Sequence, residues 1–74
     1  MAPERYHINV FYSDEDACFV ADVPDLAYCS AFGDTPEKAL SEVRVATKNW
    51  IAAARKLRHR VPKPIYRPAI YQAP

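Results

Sequence analysis

The sequence predicts a two-layer α+β domain of order β-β-β-α-β, an antiparallel sheet with one long helix over one of its faces and an extended closing segment. Three observations carry that prediction. Residues between Tyr6 and Val23 alternate in two runs split by Ser13-Asp14-Glu15-Asp16, apolar residues recur at three-and-four spacing from Ala39 to Leu57, and four of the seven prolines fall within residues 62–74. With 74 residues there is room for one core only.

The first strand is expected at about residues 6–12, with Tyr6, Ile8, Val10 and Tyr12 on one side and His7, Asn9 and Phe11 on the other. The second, at about 17–23, sets Phe19, Ala21 and Val23 against Cys18, Val20 and Asp22, so the two read as a hairpin. Pro24-Asp25 ends it. A third strand at about 28–32 stops at the turn Gly33-Asp34.

Thr35 as N-cap, Pro36 at the first helical position and Glu37 in the first turn then open a helix expected to run to about residue 58. Its apolar stripe reads Ala39, Leu40, Val43, Ala46, Trp50, Ala53, Ala54 and Leu57. Such a helix is longer than a domain of this size is wide, so its last turns overhang. Those turns carry Arg55, Lys56, Arg58, His59 and Arg60, cations that complement the negative end of the helix dipole.

Beyond the helix, residues 61–74 form a proline-rich tail in which Val61-Pro62-Lys63-Pro64 imposes an extended path. Ile65, Tyr66, Ile70 and Tyr71 are its apolar anchors, which predicts an edge strand or a segment exchanged with another copy. One helix covers one sheet face. Because Phe11 and Val20 make the other face apolar too, a homodimer or higher homo-oligomer is expected.

Composition narrows the function. Half of the residues are hydrophobic and the formal charge is +1, which excludes intrinsic disorder, and no apolar run approaches a transmembrane span or a secretory leader. A cytoplasmic protein with reduced, partly buried Cys18 and Cys29 is the expectation. The small total conceals a division. Residues 1–42 hold all nine carboxylates and two bases, a net of −7, whereas residues 43–74 hold eight bases and no acid.

No catalytic constellation emerges. His7 and His59 are a solvent-facing strand position and a dipole partner rather than an acid–base pair, and of Asp14, Asp16, Asp22 and Asp25 three lie in turns while the first strand has no carboxylate, which reads as a solvated hairpin rim rather than a two-metal centre. Ser13, Ser30 and Ser41 lack a nucleophile-elbow setting, and a single glycine allows no phosphate-cradling loop. The expectation is a binding protein without cofactor or metal. The cluster Arg55, Lys56, Arg58 and Arg60, with Tyr66, Arg67 and Tyr71 nearby in sequence, mixes phosphate-binding charge with stacking rings and keeps nucleic-acid binding open.

Residues Phe11-Tyr12-Ser13-Asp14-Glu15-Asp16-Ala17-Cys18-Phe19-Val20-Ala21-Asp22-Val23-Pro24-Asp25-Leu26 resemble the opening of HicB-family antitoxins, in which an acidic hairpin leads into a V-P-D-L-P-G-C segment. The resemblance continues through Cys29, Gly33-Asp34-Thr35, Glu37, Ala39 and Leu40 to Trp50, Ala53-Ala54-Arg55 and Val61-Pro62-Lys63-Pro64. It implies a HicB-like domain over residues 1–60 with a truncated ribonuclease H fold that lacks catalytic carboxylates. It also implies a partner, a small basic HicA-type toxin that cleaves mRNA and that the antitoxin neutralises by occluding its RNA-binding surface. Many members add a C-terminal DNA-binding domain; the expectation here is a short form without one, for which operator binding by itself is doubtful. Ala27 and Tyr28 stand where the family has proline and glycine, and the hairpin lacks the common glycine.

The toxin contacts expected are the acidic Asp14, Glu15, Asp16 and Asp25, with Tyr28 as an aromatic anchor. The other expectation is an orphan HicB-like domain that binds RNA or DNA through Arg55, Lys56, Arg58 and Arg60.

Overall fold

The hairpin, the third strand and the helix form in the expected order: a computed structural model, which describes residues 5–71, contains β1 (Asn9–Ser13), β2 (Cys18–Asp22), β3 (Ser30–Gly33) and α1 (Pro36–Lys56). Residues 1–4 and the last three of the tail lie outside the described residues. All pairing is antiparallel, and β2 is central in the order β1-β2-β3. Across the sheet Val10, Ala21 and Ala31 form one row, and Phe11, Val20 and Phe32 form the next. Adjacent rows point to opposite faces, so the first row meets the helix and the second faces away from it.

β1 starts three residues later than expected. Pairing upstream of Asn9 has no partner, because the chain after Asp22 leaves the ladder: the Val23 N–H donates to the Cys29 carbonyl at 2.9 Å, closing a loop that Leu26 and Cys29 tighten further. Tyr6 instead drops under the helix and is 4% exposed.

α1 begins as its sequence signals require. Thr35 is extended, and its hydroxyl accepts from the Lys38 N–H at 3.0 Å, a cap worth about 1 kcal/mol. The C-terminal end closes at Lys56, two residues earlier than expected. Arg58 takes the left-handed conformation with φ 59°, and His59 N–H reaches the Ala54 carbonyl at 2.8 Å while Arg58 N–H reaches Arg55 at 3.1 Å. This is a Schellman closure, made without its usual glycine.

The buried helix face is Ala39, Val43, Thr47, Ile51 and Ala54, with Leu40, Ala46 and Trp50 at its margins. Ala53 and Leu57, expected in the stripe, are exposed, and Thr47 and Ile51 take their place. Thr47 is tolerated because its hydroxyl donates to the Val43 carbonyl at 2.8 Å and lies 3.6 Å from the Cys29 sulfur.

At about 1.5 Å per residue α1 is about 32 Å long, roughly twice the span of a five-residue strand. The overhang is not left bare. Ile51 belongs to the same buried cluster as Tyr6 and Leu26, and Val61 packs against that cluster. Among the described residues, no helix is long and apolar enough to cross a membrane.

The expected closing strand does not form among the described residues. From Val61 the chain is extended without ladder partners, ending in a short 3-10 turn at Ala69–Tyr71. Pro62, Pro64 and Pro68 have no N–H to give, and the Tyr66 N–H is used by Asp25, whose two carboxylate oxygens both lie at 3.2 Å. The tail thus docks on its own chain: Tyr6 Oη donates to the Pro62 carbonyl, and the Tyr66 ring lies 4.8 Å from that of His7.

Candidate protein-binding surface

The face of the sheet turned away from α1 has no covering layer among the described residues. Its middle row is apolar: Phe11 and Phe32, each more than half exposed, flank Val20, which they reduce to 8% exposure. Ser13 and Cys18 form the row toward the hairpin tip, and Asn9, Asp22 and Ser30 the row at the other end. The sequence expectation of a second apolar face is met by these residues, with Phe32 the member that short β3 had hidden. Beside Phe32, Cys18, Gly33, Lys38 and Glu42 line a hollow of about 270 Å³ at the β3 edge.

Beyond Ser13 and Cys18 stands the acidic tip. Asp14, Glu15 and Asp16 are exposed, and the turn is held by Ser13, whose hydroxyl donates to an Asp16 carboxylate oxygen at 2.9 Å and accepts the Asp16 N–H at 3.2 Å. Ala17 completes it at φ 54°, in the left-handed region where glycine is usual.

The expected toxin contacts are not brought together. Asp25 and Tyr28 belong to the loop between β2 and β3, at the opposite end of the strands from the tip and roughly 15 Å away at the rise of an extended chain. Asp25 is occupied by the tail, as described. Tyr28 is fully exposed at φ 60°, and the loop beneath it is fixed by the Trp50 indole N–H, which donates to the Ala27 carbonyl at 3.0 Å.

Charge is sorted along the helix axis. β3 returns to the tip before α1 begins, so Asp34 and Glu37 join the tip acids, whereas Arg55, Lys56, Arg58 and Arg60 are exposed at the far end. Of the expected tail anchors, Tyr66 touches the body, but Ile65, Ile70 and Tyr71 are 74%, 83% and 71% exposed. The tail is held instead by the Tyr6–Pro62 and Tyr66–Asp25 hydrogen bonds and by the Tyr66 ring against His7.

His7, a residue weighed for acid–base chemistry, has its Nε2 2.8 Å from the Asn9 side-chain oxygen. Burial raises the pKa of Tyr6 above the ordinary 10.0, the Asp25 carboxylate raises it further, and Arg55 opposes. The chain matches no family model, no curated protein and no solved structure.

Proposed function

We propose that this protein is a HicB-like antitoxin, a non-enzymatic module that captures a small basic RNA-cleaving toxin and covers its RNA-binding surface. The observation that carries this reading is the open sheet face, an apolar row of Phe11, Val20 and Phe32 with the acids Asp14, Glu15 and Asp16 at one end and Asp22 at the other. Aromatic side chains supply contact area where charge alone is worth little, and the acids complement a cationic partner and speed its approach. The ordered likeness from Phe11 to Pro64 supports the antitoxin reading, which would bring with it a truncated ribonuclease H architecture.

Co-expression with a small basic HicA-type toxin, to be sought as the product of an open reading frame beside this gene, tests this. The two proteins are expected to co-purify and the RNA cleavage to stop, while Phe11→Ser combined with Phe32→Ser weakens the complex by roughly a hundredfold, as loss of two aromatic contacts should. Separate purification of the two wild-type chains would sink the reading.

A second reading rests on the basic helix end. Arg55, Lys56, Arg58 and Arg60 are all exposed, as a nucleic-acid contact needs. Affinity for single-stranded RNA that falls steeply with log salt favours it over the antitoxin.

A further inference from the structure

β1 is an edge strand with none of the usual protections. Asn9-Val10-Phe11-Tyr12-Ser13 contains no charge and no proline, and it pairs with β2 along its whole length, so that the N–H and C=O groups of alternate residues on its other edge face no strand among the described residues. The opposite edge is different. β3 has four residues, and the first turn of α1 lies so close that a Cβ on Gly33 would come within 2.4 Å of the Ala39 nitrogen.

The helix also sits off centre, toward β3, with β1 on the far side of the layer. Val10 and Tyr12 point to the helix side of the sheet yet remain 39% and 51% exposed, a strip of apolar surface continuous with the free edge. Lys38 and Glu42 lie beside β3, so helical spacing puts Arg44, Lys48 and Arg55 on the flank that overlooks β1. Arg55 is close enough to Tyr6, just upstream of β1, to lower its pKa.

From these features we infer that the β1 edge is the seat of a second copy of this chain, two β1 strands pairing antiparallel about a two-fold axis near Phe11. The charge arrangement chooses this occupant. An antiparallel pair sets Ser13 of one copy near Asn9 of the other, so the acidic tip Asp14-Glu15-Asp16 of each arrives at the end of its partner where the bases Arg55, Lys56, Arg58 and Arg60 outnumber the acids Asp22 and Asp25, twice by symmetry. Val10 and Tyr12 of both copies meet between the two helices, which covers the exposed strip. The sheet becomes continuous across six strands, and its outer face then carries two Phe11–Val20–Phe32 rows side by side. No toxin is needed for this association, and it stands or falls independently of the antitoxin reading.

Sedimentation of the purified chain at on the order of 100 µM tests it. The wild type is expected at twice its 8.4 kDa mass. A tip-reversed variant, Asp14→Lys with Glu15→Lys and Asp16→Lys, and an end-reversed variant, Arg55→Glu with Arg58→Glu, each place like charges together and should dissociate at least roughly tenfold more readily. Mixing the two variants pairs a lysine tip with a glutamate end and an acidic tip with a basic end, so the mixture should regain the double mass. All of the altered residues are exposed, and circular dichroism checks that both variants stay folded. A wild type that sediments at 8.4 kDa overturns the inference, as does a dimer indifferent to both reversals or a mixture that stays monomeric.

Discussion

At Tyr28 a left-handed backbone coincides with full exposure of a large aromatic ring. A tyrosine at φ 60° gives up about 1 kcal/mol relative to glycine, and here the ring recovers nothing from burial, since it is wholly exposed. Tyr28→Gly is therefore expected to raise stability by about 1 kcal/mol in chemical denaturation, with the slope unchanged. A loss of stability would mean that the ring packs somewhere not seen here. A side chain retained at a conformational cost with no return within the fold is a reasonable place to look for a contact made outside it. Arg58 and Ala17 share the backbone but differ in circumstance, one closing a helix and the other a hairpin. Sequence could signal only that glycine was missing at Ala17 and Tyr28; it could not show that the chain adopts the left-handed conformation regardless.

At the level of elements, the junction of β3 and α1 leaves no room for a side chain at Gly33. Gly33 is needed there for space: its φ is not positive, but an added methyl would lie 2.4 Å from the Ala39 nitrogen and 2.8 Å from the Lys38 carbonyl carbon, both backbone atoms that cannot turn aside. Gly33→Ala should cost about 1–3 kcal/mol, read as a lowered denaturation midpoint, because the helix start must move off the strand. The helix itself was legible at its beginning, where Thr35 and Pro36 announce it, and less so along its length. Thr47 was missed because a threonine reads as polar until its hydroxyl is seen bonded to its own helix, and with it went Ile51. Ala53 and Leu57 pulled the expected stripe toward the wrong flank. The tail shows the opposite difficulty: its apolar content was legible, but its lack of donors, which prevents a ladder, outweighs the anchors.

On the scale of the whole molecule, Tyr6 ties the ends of the chain to the helix, its hydroxyl donating to Pro62 while its ring lies in the core. Since its pKa is raised in the folded state, the unfolded chain loses this proton first as pH increases. The stabilising contribution is complete below the ordinary value of 10.0 and is lost as pH climbs through the folded value. Stability should accordingly fall above about pH 10, and Tyr6→Phe should lower it by about 1 kcal/mol at neutral pH while removing part of that alkaline decline. Equal pH slopes for the two proteins would show that Tyr6 is not the linked group. The order of elements and the two-faced sheet could be read from period and capping alone, but the separation of acids and bases into opposite ends required the topology, because it depends on β3 carrying the chain back to the tip before the helix starts.

That separation has a consequence for how the protein behaves before it touches anything. A net charge of +1 exerts almost no pull at a distance, yet Asp14, Glu15, Asp16, Asp34 and Glu37 at one end and Arg55, Lys56, Arg58 and Arg60 at the other, only partly offset by Lys38 at the first and by Asp22 and Asp25 at the second, give the molecule an electric dipole along the helix. In the field of a charged partner it experiences a torque rather than a force. It turns before it arrives, presenting its acidic end to a cation and its basic end to an anion, and on ion-exchange media it should hold to resins of either sign although its isoelectric point is near 7.8.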